Sequence, residues 1–308
     1  MQPDDADAVA QVLTRAFAPP PGAKPAGLRV LISNRMAARW QAQCAGAWVV
    51  DAPGFGPVGA AFAVVEPDVG WIGGLGVHPA YRGLGVGRAL TTAALEFLDD
   101  AGCAVIGLEA SPSDGVALSA YARRGLRPVD VTLRLRADAA ALATSGVAAE
   151  FQIRPLPTAA ARDGPEPVRP GGSRIAPTAA PDAREARVAL QALAVPLSDA
   201  AFTAVGPGAY LVCDPQSVPV GEVLEARLGF LGRDGHPVAA ACHALGRMAV
   251  ARKSRYVELD LPVGSGAALP ALSRLGLQTV LSTVRLARPA AAYGRRTEDG
   301  VDVGRWSL

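Results

Sequence analysis

Apolar and polar positions repeat along this chain with two different periods, and each change of period marks an element. Val9, Val12, Leu13, Ala16 and Phe17 fall at helical spacing, which predicts an amphipathic helix over residues 5–18. A Pro/Gly-rich loop follows from Pro19 to Gly27, then a second helical stretch from about Leu28 to Ala45. Three short extended runs come next, Ala47–Asp51, Val58–Val65 and Val69–Val77. The turn clusters Pro53–Pro57 and Glu66–Asp68 separate them, and this predicts an antiparallel meander. A glycine-rich turn from Arg82 to Gly87 opens a helix with Ala89, Leu90, Ala93, Ala94, Phe97 and Leu98 on its apolar positions. A strand at Ala104–Ala110, a helix at Gly115–Arg124 and a strand at Pro128–Leu135 complete a mixed α/β unit of about 135 residues.

Residues 137–181 change character, from Ala-rich polar sequence to a run containing Pro165, Pro167, Pro170, Pro177 and Pro181. This reads as a linker, with a strand at 151–155 inside it. Structured signals resume at Arg184–Leu193, with strand-like runs at Ala209–Cys213 and Glu222–Leu231. A helix at Val238–Ala251, a strand at Tyr256–Leu261, a helix at Ala267–Leu275 and a strand at Gln278–Leu286 repeat the earlier order. The expected organisation is a first domain at 1–138, a linker at 139–182 and a second domain at 183–308. Each domain is expected to hold its own mixed, mostly antiparallel sheet flanked by helices.

An offset of 151 overlays residues 105–135 on 256–286 without a gap, and 12 of the 31 pairs are identical. Gly115 matches Gly266, Gly125-Leu126 match Gly276-Leu277, and Arg134-Leu135 match Arg285-Leu286. The chain reads as two copies of one fold.

Composition narrows the function classes. Half of the 308 residues are apolar, 62 are alanine and only 5% are aromatic, so cores should be close-packed with small side chains. A net charge of +2 without a basic run argues against nucleic acid, and no apolar run is long enough to span a membrane. The start Met1-Gln2-Pro3-Asp4-Asp5 has no apolar signal core, which fits a cytoplasmic protein. Cys44, Cys103, Cys213 and Cys242 lie far apart with no paired spacing, so neither a metal site nor a disulfide framework is expected.

The sharpest local signal runs from Leu75 through Arg82-Gly83-Leu84-Gly85-Val86-Gly87-Arg88-Ala89-Leu90. A strand ends in a Pro-marked turn, and glycines then open a helix. Amides at a helix start lack internal partners and the dipole favours negative charge there. Gly83, Gly85 and Gly87 would let that backbone approach a pyrophosphate closely.

At these residues the sequence resembles the GCN5-related N-acetyltransferase (GNAT) superfamily, whose acyl-CoA motif, Arg/Gln-x-x-Gly-x-Gly/Ala, is matched by Arg82, Gly85 and Gly87. The resemblance implies that acetyl-CoA is the co-substrate, its pyrophosphate held by amides from about Leu84 to Ala89. It implies also that the main chain of Leu75, Gly76 and Val77 pairs with the pantetheine arm. Tyr121 falls where the family carries a tyrosine near the CoA sulfur, and Glu109, twelve residues earlier, has the spacing of the base in ribosomal-protein N-terminal acetyltransferases. Asp114 stands where many members have an asparagine that binds pantetheine.

The chemistry needs such a pair, because a protonated amine cannot attack a thioester and the expelled thiolate needs a proton. Against these roles stand a core tyrosine for Tyr121 and a structurally paired carboxylate for Glu109. His78 reads as a turn residue beside Pro79. In the second copy, Asp234-Gly235-His236-Pro237 replaces the glycine ladder, Asp260 lies opposite Glu109 and Leu272 replaces Tyr121. That copy reads as degenerate. The expected function is N-acetyl transfer to a primary amine, on a peptide N-terminus or a small molecule, by a monomeric pseudo-dimer or a homodimer. A CoA-binding sensor or scaffold stays open. So does a longer acyl group, which the small Gly73, Gly74 and Gly76 would admit.

Overall fold

The computed structural model describes residues 5–18, 46–66, 69–145, 152–155, 202–206, 209–216, 223–231, 236–263 and 269–289. The helical stretches expected at 28–45 and 184–193, and Arg233–Gly235, lie outside these residues. No helix among the described residues is long and apolar enough to cross a membrane.

Helix α1 (Ala6–Ala16) buries Val9, Ala10, Val12 and Leu13, the i, i+3, i+4 stripe read from the sequence. The meander forms as β1 (Ala47–Ala52), β2 (Gly56–Glu66) and β3 (Val69–Val77). Alternation along β2 sorts the two faces of the sheet. Ala60 and Phe62 pack with Val9 and Leu13 of α1. Ala63 packs instead with Ala94, Leu95 and Leu98 of α2 (Val86–Asp100) on the opposite face. Then come β4 (Val105–Ala110), α3 (Gly115–Ala122) and β5 (Arg127–Asp138).

Beyond β5 the structure departs from the expected linker. Residues Ala139–Ala143 form a short helix, α4, capped by the Asp138 carboxylate, which accepts from the amides of Ala140 and Ala141. Ala139 and Leu142 are buried, so this segment is packed. The later elements are β6 (Gln152–Pro155), β7 (Phe202–Gly206), β8 (Ala209–Gln216), β9 (Val223–Leu231), α5 (His236–Ala251), β10 (Tyr256–Pro262), α6 (Leu269–Arg274) and β11 (Gln278–Arg288). Strand β7 is additional to those read from the sequence.

The strands among the described residues form one eleven-stranded sheet in the order β1-β2-β3-β4-β11-β5-β10-β9-β8-β7-β6. This corrects the expectation of a separate sheet for each half, because the last strands are exchanged. β11 lies between β4 and β5, and β5 lies between β11 and β10. Leu286 faces Leu108 on one side of the junction and Leu135 faces Leu259 on the other. At an offset of 151, each is the image of the other. Thr132 faces Thr283, its own image, at the centre of the β5–β11 pair. Leu286 joins the core around Ile106, Leu108 and Tyr121, while Leu135 joins the core of α5 and β10. Each of these fully buried leucines contributes about 2–3 kcal/mol of apolar burial to the other half's core.

Candidate active site

A gap in the sheet sets the site. β3 and β4 are parallel but pair only from Val69–Ile72 to Val105–Leu108. Past that point β3 stays bonded to β2, with Gly76 opposite Ala60 and Val77 opposite Gly59. β4 stays bonded to β11 through Ala110. A register shift in β2–β3 between Ala60 and Phe62, next to Gly74 at φ +64°, turns β3 away. Among the described residues no strand lies beside the second edge of Gly73–Val77, where main-chain polar groups need a partner.

The glycine turn lies beyond the far end of β3. Gly83 and Gly85 have φ +79° and +89°, a region L-residues disfavour. Gly85 is the N-cap of α2 in left-handed conformation, and no side chain among the described residues caps the helix. The Ala89 amide closes the first helical bond to the Gly85 carbonyl at 3.0 Å, which leaves the amides of Val86, Gly87 and Arg88 without an intrahelical acceptor. Among the described residues, chain neighbours aside, nothing lies within 4 Å of where a Cβ would sit at Gly83, and at Gly85 an Arg88 guanidinium nitrogen does, at 3.7 Å. The result is an open, positively polarised cradle that fits a pyrophosphate.

Arg82, expected to contact the coenzyme, also braces the turn. Its Nη2 donates to the Ala16 carbonyl at the end of α1 (2.9 Å), and its Nε donates to the Val77 carbonyl at 3.4 Å. His78 is a turn residue, as expected. Its Nδ1 accepts from the Ala80 amide, and its Nε2 lies 3.0 Å from Arg15 Nη1.

Tyr121, on α3, is 7% exposed and belongs to the core that contains Ile72 and Leu108. Leu75 and Ala110, one from each side of the gap, pack against the same core. Burial pushes the phenol up to about 12, Asp114 adds to the rise and Arg124 opposes it. Tyr121 is therefore a protonated donor at neutral pH. Asp114 caps α3, its Oδ1 accepting from the Ala117 amide at 2.9 Å, so this carboxylate already serves the fold.

Glu109 lies between Leu108 and Ala110 on β4, so strand alternation turns it to the face opposite Tyr121. Its carboxylate is paired. Oε1 accepts from Thr132 Oγ1 and from Arg285 Nε, each at 2.7 Å, and Oε2 accepts from Thr283 Oγ1 at 2.8 Å. Arg285 is 2% exposed. Thr132, Thr283 and Arg285 were absent from the sequence-based candidates. Their signal was nonetheless there, in the Thr and Arg identities of the gapless repeat.

Two glycines of β3 are closely packed. A Cβ on Gly76 would lie 2.6 Å from Leu13 Cδ2 and 2.9 Å from Ala16, and one on Gly74 would lie 3.0 Å from Phe62.

Residues 17–126 match the profile of the acetyltransferase (GNAT) family. This segment, about a third of the chain, is similar to the GNAT family. Solved structures share the fold of the longer chain. A Pyrococcus horikoshii protein named only provisionally as an acetyltransferase aligns over 100% of this chain and 92% of its own, at 18% identity and a TM-score of 0.62. A GCN5-related N-acetyltransferase from Sphaerobacter thermophilus aligns over 94% and 93%, at 16% identity and the same TM-score. A GCN5-related glucosamine N-acetyltransferase region of a fungal multi-domain GH3 β-N-acetylglucosaminidase aligns over 92% of this chain and 37% of its own, at 16% identity and a TM-score of 0.58. No curated protein matches the chain.

Proposed function

We propose that this protein is a GNAT-type, acetyl-CoA-dependent N-acetyltransferase that moves the acetyl group directly to a primary amine. One observation carries the reading: an uncapped helix start behind a left-handed glycine turn lies beyond the strand whose free edge lines the β3–β4 gap. The amides of about Leu84 to Ala89 bind the pyrophosphate, with the Arg88 charge beside them. The free edge of Leu75–Val77 pairs with the pantetheine arm and directs the thioester into the gap.

Tyr121 and Glu109 then work from opposite faces. The Tyr121 phenol gives its proton to the departing thiolate, a role that suits a buried group protonated at neutral pH. Glu109 takes the amine proton, directly or through water. A carboxylate has about four lone-pair positions. Three are occupied here, two on Oε1 and one on Oε2, so Oε2 keeps acceptor capacity. The acceptor class is a peptide N-terminus or a small-molecule amine.

Residues beyond the linker act as a degenerate second copy, which makes the chain a pseudo-dimer. The repeated order of elements supports this, as does Leu272, wholly buried at the position equivalent to Tyr121. The test is thiol release from acetyl-CoA across a panel of amines and peptides, alongside calorimetric CoA titration. Turnover with an amine supports the enzyme; binding without turnover across the panel supports a sensor.

A further inference from the structure

The proton-accepting side of the site is assembled from both ends of the chain. Thr132 comes from β5 of the first half, whereas Thr283 and Arg285 come from β11. Arg285 stands directly opposite Glu109 in the β4–β11 register, the position from which cross-strand side chains meet. Residues 284 and 286 turn to the Tyr121 core, so 283 and 285 turn together toward Glu109. Strand β5 is one place further from β4 and brings only Thr132 to this carboxylate.

We propose that Arg285 and Thr283 are positioning residues for acyl transfer, through which the C-terminal half completes the active site of the N-terminal one. The inference rests on the reading of Glu109 as proton acceptor. A glutamate on a strand has three side-chain torsions, and an unrestrained carboxylate at the mouth of a gap would sample several rotamers. The guanidinium and the Thr132 hydroxyl hold Oε1. The Thr283 hydroxyl then fixes the carboxylate plane and leaves the last lone pair of Oε2 pointing in one direction. Arg285 also supplies the countercharge that lets a carboxylate sit among buried groups. The bonds that Thr283 and Arg285 make to Glu109 lie apart from the coenzyme cradle at Gly83–Arg88.

The experiment is a double-mutant cycle in the full chain, read on kcat and on KM for acetyl-CoA with the best amine of the panel. Thr283→Val is nearly isosteric and removes only the donor to Oε2. It should lower kcat about tenfold with KM for acetyl-CoA unchanged, as expected for a misdirected catalytic group. In a Glu109→Gln background the same change should have no further effect on kcat. Arg285→Lys, which keeps the charge, should retain more activity than Arg285→Met. Thr279→Val, on the same strand away from Glu109, is the control for a merely perturbed β11, and urea melts of each variant check folding.

If Glu109→Gln lowers kcat but Thr283→Val does not, the positioning role is overturned while the reading of Glu109 stands. The role also fails if Thr283→Val acts equally in both backgrounds. If Glu109→Gln leaves kcat unchanged, or no amine turns over, the reading of Glu109 fails and takes the inference with it.

Discussion

Thr132 and Thr283 face each other across the β5–β11 pair, 151 residues apart, and both hydroxyls donate to the one carboxylate of Glu109. This is where the two exchanged strands meet, and the Arg285 ion pair lies beside it. Removing one partner of a buried ion pair is strongly destabilising. Glu109→Ala should therefore destabilise the whole chain by about 3 kcal/mol. Glu109→Gln keeps an acceptor oxygen and should cost less. Urea unfolding followed by circular dichroism measures both. A Glu109→Ala variant as stable as wild type would mean that Arg285 finds compensation elsewhere.

The glycine cradle makes a prediction that separates backbone strain from ligand binding. Gly83, Gly85 and Gly102 all have φ between +74° and +89°, but Gly102 lies in the turn that follows α2. Alanine at any of them should cost roughly 1–2 kcal/mol of stability through the left-handed backbone. Only Gly85→Ala and Gly83→Ala should also weaken acetyl-CoA, by about tenfold, the equivalent of 1.4 kcal/mol. Calorimetric titration of the three variants at matched folded fraction is the comparison. Equal affinities would remove the cradle from coenzyme binding.

How much of this was legible in the sequence divides along local and non-local lines. The periodicity around Val9–Leu13, the meander turns and the glycine-opened helix are local, and the structure follows them closely. Alternation shows that Glu109 leaves the Leu108 face of β4, but not which strand lies beside it. Residue 109 pairs with residue 285 only because β11 displaces β5, and no window of sequence contains both. The repeat held a clue: Thr132 and Arg134 recur in register as Thr283 and Arg285. Helix α4 was missed because Ala139–Ala143 has no apolar period, although its Asp138 cap is an ordinary start signal. Smallness looks the same in sequence whether it leaves room or, as at Gly76 under Leu13, permits contact.

Alkaline pH should destabilise the fold at two distinguishable points. Burial raises the Cys242 thiol from 9.0 to about 12, and Tyr121 rises from 10.0 to about 12, chiefly through burial. Both are neutral in the folded protein across windows where the unfolded chain ionises. The unfolded state then binds fewer protons, so stability is full below pH 9 and falls as pH rises through 9–12, by up to about 1.4 kcal/mol per pH unit for each group. Cys103, raised by burial and by Asp99, pulls in the same direction. Stability curves for Cys242→Ala should be shallower than wild type from pH 9 upward. Those for Tyr121→Phe should diverge only above about pH 10. Parallel curves for wild type and Cys242→Ala would show that the thiol does not carry the first step.

The contact that seats α4 on α5 leaves no room for a side chain. A Cβ on Gly246 would lie 2.4 Å from the Ala143 amide nitrogen and 2.7 Å from both Leu142 C and Cβ. Two of those three atoms are backbone, so no rotamer change relieves the clash and the helices must separate. Leu142 is wholly buried against Leu245 and Ala241, and that core also holds Leu135 and Ala137 of β5. Separation would thus loosen the strand that the first half lends to the second. Gly246→Ala should gain up to about 1 kcal/mol in helix propensity and lose more to overpacking, typically 1–3 kcal/mol. The expected net result is a lower urea midpoint, with hydrogen exchange accelerated along β5 and β10 but not along β1–β3. A midpoint raised by the substitution would show that α4 can move aside, and that the exchanged strands hold the halves together without it.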